Sequence, residues 1–176
     1  MKATWAIASV GAALAALLGA GCARRIASTP AKDASALPLQ LRLPLFPQGA
    51  IHDLAEDRGK VVLLDVWATW CEPCRISLPL YERIEKRYGP RGLKVYAISI
   101  DEQTDQIPLF LTETKLGLPI LLDKGGAAAE GELKIETMPT ALILDRRGLV
   151  RYRHEGYVAE GPLLVEIEGL LAEVQP

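Results

Sequence analysis

The chain has 176 residues, 49% of them hydrophobic and 24% charged, with a formal net charge of −2. This suits one domain with a segment added at an end, and it excludes both a basic face for nucleic acid and an acidic tail for a basic partner. Three cysteines are too few for a disulfide framework; they divide into a lone Cys22 and a close pair, Cys71 and Cys74, which points to two separate roles.

The N-terminus reads as an address. Met1-Lys2 gives a short positive start, and an uncharged, mostly apolar run extends from Ala3 to Gly21. A positive start, an apolar stretch and small residues at its end describe an export signal over 1–21, which is kept out of fold reasoning. The ending Leu18-Gly19-Ala20-Gly21-Cys22 resembles a bacterial lipoprotein signal, in which the cysteine becomes the lipid-bearing N-terminus. It departs from that pattern at Gly19, where the family favours Leu. Three readings fit: a lipidated Cys22, an uncleaved anchor and a plain cleaved signal. The run approaches the roughly 20 residues needed to span a bilayer, but Arg24-Arg25 behind it disfavours translocation of a following domain from an anchor. Lipidation is the expectation carried forward. All three readings place the domain outside the cytoplasm.

Residues 22–38 are rich in Ala, Ser, Thr, Pro and charge without periodicity and read as a tether. The domain is expected over 39–176. Leu39, Leu41, Leu43 and Leu45 alternate with Gln40, Arg42 and Pro44, which predicts an early edge strand that tolerates proline. A loop from Gly49 to Lys60 follows, with a helical piece near Asp53 to Glu56. Val61 to Trp67 is an apolar, β-prone run, the mark of a strand buried on both faces. Pro73 to Tyr88 predicts a helix with Leu78, Leu80, Tyr81, Ile84 and Tyr88 inward, stopped by Gly89-Pro90. Leu93 to Ile100 is a second buried strand. Asp101 and Thr104 are candidate caps for a helix reaching Lys115. Pro119 to Leu122 predicts a short strand, and Gly125 to Leu133 a small helix. Ala141 to Leu144 and Leu149 to Arg153 predict a hairpin across Asp145-Arg146-Arg147-Gly148, before a last helix over Gly161 to Val174. The order indicates an α/β fold: a central mixed sheet flanked by helices, with an extra N-terminal strand or hairpin and a small βα insertion.

Chemistry concentrates at Trp70-Cys71-Glu72-Pro73-Cys74, between a buried strand and a helix start. A helix N-terminus presents unpaired N–H groups and partial positive charge, and both favour thiolate at Cys71. The thiolate is the attacking species in disulfide exchange. Cys74 lies one turn further in, placed to attack a mixed disulfide formed at Cys71. Pro73 suits a first helical turn. Glu72 opposes ionisation of Cys71 and Arg75 favours it, so the thiol pKa stays open within the range of about 3.5–7.5 for such pairs. Two bland readings stand beside redox catalysis. A zinc site needs about four ligands, and only His52 and His154 accompany the cysteines. A structural disulfide across so short a loop stabilises little.

These residues, with Trp67, Ala68, Thr137-Met138-Pro139-Thr140 and the Asp145 to Gly148 turn, resemble the thioredoxin superfamily, and more closely its exported TlpA/ResA-like branch. The resemblance spans about Leu39 to Val174. It implies a thioredoxin-like fold and a thiol–disulfide oxidoreductase that needs no cofactor beyond a redox-active Cys71–Cys74 disulfide. It implies substrates among disulfide-bearing cell-envelope proteins, including apocytochromes c, and a membrane thiol electron donor. A monomer is expected.

The resemblance further implies a cis Pro139 facing the cysteines, keeping metal ions from settling between the thiols. The Met138 backbone would then pair with an extended substrate segment. An ordinary trans proline entering a strand is the alternative. Asp65, six residues before Cys71 in an apolar strand, is a candidate acceptor for the Cys74 proton, because burial raises a carboxyl pKa; the alternative is structural polarity alone. Thioredoxins carry an acid there, whereas many TlpA-like proteins carry Asn. Trp70 is expected at the site wall with a substrate role, alongside Glu72 and Pro73. Ser77 departs from ResA-like proteins that carry Glu at that position, which weakens the link to cytochrome maturation. His154 is expected to be exposed scaffold. A copper- or haem-delivery module and a dithiol oxidant are the competing functions; the first predicts added Met or His ligands near the pair, and the second depends on reduction potential.

Overall fold

The computed structural model describes residues 37–173. The expected signal, Cys22, nearly all of the tether and Val174 lie outside the described residues. The chain forms β1 (Arg42–Phe46), β2 (Ile51–Asp53), β3 (Val61–Trp67), α1 (Cys74–Tyr88), β4 (Leu93–Ser99), α2 (Ile107–Thr114), β5 (Ile120–Leu122), α3 (Ala127–Glu130), β6 (Thr140–Leu144), β7 (Val150–Glu155) and α4 (Glu160–Ala172). The strands make one mixed sheet in the order β2-β1-β5-β4-β3-β6-β7.

The apolar run at 61–67 becomes an interior strand, and every residue of β3 is buried. It pairs parallel with β4 and antiparallel with β6. Alternate residues face opposite sides. One side joins Val61, Leu63 and Trp67 to Leu78 and Tyr81 of α1, Phe110 of α2, and Leu163 and Ile167 of α4. The other joins Val62, Leu64 and Val66 to Leu41, Leu43, Leu54 and Ala129. Burying each large aliphatic side chain contributes about 1.5–3 kcal/mol, so β3 anchors both cores. This is the thioredoxin-like α/β architecture.

The turn between β6 and β7 follows from its residues. The Asp145 carboxylate accepts from the Arg147 and Leu149 amides at 3.0 Å each, and Gly148 adopts φ 80°, a left-handed conformation that suits glycine. The Leu39 amide donates to the Gly148 carbonyl at 2.9 Å.

Several expectations change. The early strand is no edge: β1 lies between β2 and β5, and β2 forms the edge from residues read as loop. Pro44 is tolerated because β5 registers only with Leu45 and Phe46. The second helix starts at Ile107, without a side-chain cap. Asp101 is buried away from it and used elsewhere. The small helix shrinks to Ala127–Glu130, after a turn through Gly125 and Gly126. His154 is not exposed scaffold. Its side chain is 13% exposed, and its Nε2 lies 2.6 Å from the Glu166 carboxylate of α4.

Candidate active site

Strand β3 delivers the chain to the start of α1, where Cys71 and Cys74 form a disulfide with Cα atoms 5.4 Å apart. The Cys71 amide donates to the Ala68 carbonyl at 3.0 Å, and the Cys74 amide to the Cys71 carbonyl at 3.1 Å. These bonds wind the segment into the helix. Cys71 keeps 5% exposure and Cys74 none, so an incoming thiol or disulfide reaches Cys71 first.

Around the pair, Trp70 is 69% exposed, while Glu72 and Pro73 are exposed at the helix mouth. Arg75 bridges Glu72 at 3.7 Å and Glu113 at 3.1 Å and lies over the Phe110 ring at 4.8 Å. The Arg75 charge is therefore shared between two carboxylates.

The Met138–Pro139 peptide is cis. Thr140 registers with Val66, which puts buried Pro139 at the level of Trp67, on the strand next to the cysteine loop. The Pro139 carbonyl accepts from the Gly156 amide at 2.7 Å. Met138 is half-buried and packs against both cores. Two surface cavities share Ile100 and Gly125. One of about 530 Å³ reaches Thr69 and Trp70, and one of about 270 Å³ reaches Thr137 and Met138.

Asp65 is fully buried, and neither carboxyl oxygen has a hydrogen-bond partner among the described residues. Its flanking partners in the sheet are Ala97 and Ala141. Burial pushes its carboxyl well above the ordinary carboxylate range, because the charged form is the one that low dielectric penalises. Ser77 is buried on the inner side of α1, and its hydroxyl donates to the Cys74 carbonyl at 3.4 Å.

Sequence reasoning missed a clamp on the cysteine loop. The Asp101 carboxylate accepts from the Thr69 amide at 3.1 Å, the Thr69 hydroxyl at 2.8 Å and the Ser99 hydroxyl at 2.8 Å. A signal for it was present: Asp101 lies just past the end of a parallel strand next to β3, where α/β folds gather ligand-contacting residues. Among the described residues no group of three or more His, Cys, Asp or Glu is placed to hold a metal ion. None of their helices is long and apolar enough to cross a membrane.

Comparisons with known proteins agree with this geometry. The model of the AhpC/TSA family matches residues 32–153, which include both cysteines, Asp65, Asp101 and Pro139. The thioredoxin-like protein YneN of Bacillus subtilis is 37% identical over 111 residues, 61% of this chain and 64% of that one. The match thus spans just under two thirds of that relative's length. The thiol-disulfide oxidoreductase ResA of Bacillus cereus is 27% identical over 129 residues, 73% of this chain and 72% of that one. A candidate thiol:disulfide interchange protein DsbE from Chlorobium tepidum superposes with a TM-score of 0.70 at 29% identity, covering 76% of this chain and 94% of that one. The chain therefore belongs to the AhpC/TSA family, as a TlpA/ResA-like member of the thioredoxin superfamily with a Cys71–Cys74 disulfide.

Proposed function

We propose that the chain is an extracytoplasmic thiol–disulfide oxidoreductase working as a disulfide reductase on cell-envelope proteins, apocytochromes c among them. The single observation that carries the reading is a disulfide at a helix start whose first sulfur is reachable and whose second is buried. The reduced Cys71 thiolate attacks one sulfur of a substrate disulfide. A Cys71–substrate bond forms and the other substrate sulfur leaves as thiolate. Cys74 then gives up its proton and attacks Cys71, which releases the second substrate thiol and regenerates the Cys71–Cys74 disulfide. Asp65 takes the Cys74 proton. Pro139 and Met138 on one side, with Trp70, Glu72 and Pro73 on the other, hold the substrate segment. A membrane thiol donor restores the dithiol.

Residues 1–21 act as the export signal, 22–38 as a tether lipidated at Cys22, and 39–176 as a monomeric catalytic domain. What supports the location is the N-terminal pattern of charge, apolar run and cysteine. The decisive experiment is the reduction potential of the dithiol, measured with insulin reduction. A potential near the thioredoxin value of about −270 mV supports the reductase, and one near the DsbA value of about −120 mV replaces it with an oxidant. Mass spectrometry of the mature N-terminus tests lipidation; an unmodified Cys22 with Met1 retained refutes it.

A further inference from the structure

The layer between β3 and α1 holds an unusual set of buried polar atoms. Both carboxyl oxygens of Asp65, the Trp67 Nε1 and the Tyr81 hydroxyl are buried without a hydrogen-bond partner among the described residues. Natural structures leave few buried polar groups unpaired, and a cluster of them calls for an explanation. Here the groups are complementary: a phenol donates and a carboxylate accepts.

Placement supports the pairing. Asp65 alternates along β3 with Leu63 and Trp67, so it points into the core that α1 covers. Tyr81 lies on the inner side of α1 with Cys74 and Leu78, in that same core. The sheet neighbours of Asp65, Ala97 and Ala141, offer only methyl groups. The other inward hydroxyls of α1 are engaged: Ser77 with the Cys74 carbonyl and Tyr88 with Glu168 at 2.6 Å. Burial, then the charge of Asp65, then Tyr157 hold the Tyr81 phenol well above its ordinary range, so Tyr81 keeps its proton and stays able to donate. Of the other titratable groups nearby, His154 and Glu82 have partners. His154, beyond Ala141 in the same row of the sheet, pairs with Glu166. Glu82 bonds Lys86 at 2.8 Å and the Gly117 amide at 3.2 Å. Tyr157 is 53% exposed.

We propose that Tyr81 is the positioning residue of Asp65, its hydroxyl donating to the carboxylate in the ionised state that accepts the Cys74 proton. The inference rests on the proposed reductase reading. In the resolving step the Cys74 S–H bond breaks and its proton passes to Asp65. The Cys74–Cys71 bond forms, the Cys71–substrate bond breaks, and the substrate sulfur leaves with the electron pair. Tyr81 neither gains nor loses a proton; it favours the ionised Asp65 that the step consumes.

The test follows resolution of a mixed disulfide at Cys71 against pH, using a small neutral disulfide and the full chain. The rate rises with pH as Asp65 ionises. Tyr81→Phe keeps the ring and removes the donor, and is expected to move that rise up by about one pH unit, a roughly tenfold slowing below it. Asp65→Asn leaves only the rise set by ionisation of the Cys74 thiol itself, and Tyr81→Phe adds nothing in that background. Fluorotyrosine at position 81, a stronger donor of nearly the same shape, moves the rise down and covers the case of a poorly folded phenylalanine variant. A Tyr81→Phe profile that superimposes on the wild type overturns the proposal, as does equal slowing with Asn at position 65. A wild-type chain that forms no mixed disulfide overturns the reductase reading as well, a result distinct from an unmoved profile in an active chain.

Discussion

Replacing Asp65 by Asn should make the oxidised domain more stable at neutral pH and leave it unchanged near pH 4. Both side chains are close in size, and protonated Asp and Asn each place a neutral polar group where the oxidised structure pairs neither carboxyl oxygen. The difference lies in ionisation. Burial raises the folded pKa of Asp65 above its unfolded value. The folded state therefore holds the proton more tightly, and stability falls as pH rises above the unfolded pKa of about 3.9 until the folded pKa is reached. Each pH unit in that window costs about 1.4 kcal/mol, which caps the penalty at pH 7 at about 4 kcal/mol. Asn has no such penalty. Urea unfolding of both oxidised proteins at pH 4, 5.5, 7 and 8 measures it, with the disulfide intact so that redox state does not intervene. The two stabilities should converge at pH 4 and separate as pH rises. Stability differences that stay constant from pH 4 to 8 would refute a buried carboxyl whose pKa is raised on folding.

Further outcomes follow from the same geometry. Cys74→Ser is expected to accumulate a substrate adduct on Cys71, visible by intact mass, whereas Cys71→Ser forms none; an adduct at Cys74 would reverse the assigned order of attack. Asp101→Ala frees the Thr69 amide and hydroxyl and should cost about 2 kcal/mol in urea unfolding while slowing insulin reduction; full activity would show that the clamp does not govern the cysteine loop. His154→Ala leaves Glu166, only 3% exposed, as a buried carboxylate without its partner, and should lose about 3 kcal/mol at neutral pH; a loss near zero would mean water reaches Glu166 freely.

The core strands and the redox pair were legible because their signals are local. Val61 to Trp67 and Leu93 to Ser99 are short, β-prone, mostly apolar runs of strand length. The cysteines announce themselves by spacing and by the strand and helix on either side. What stayed hidden depends on partners distant in the chain. Asp101 looked like a helix cap because Asp often is one; its pairing with Thr69, 32 residues away, follows from β4 lying beside β3. His154 read as exposed scaffold because it sits near the end of the hairpin with no second histidine or extra cysteine to accompany it; its partner, Glu166, comes from α4. Tyr81 read as ordinary core, since nothing in its own helix marks its hydroxyl as buried without a partner.

The contact between Leu39 and Gly148 also bears on orientation. Gly148 belongs to the turn that follows Leu144, and Leu144 registers with Val62 at the beginning of β3. Cys71 lies past the opposite end of that seven-residue strand, about 23 Å away at 3.3 Å per residue. The chain thus enters the domain at the pole remote from its reactive sulfur. A domain held to a surface on the side of Leu39 would aim Cys71 away from that surface, and meeting a donor embedded in it would require the domain to turn round.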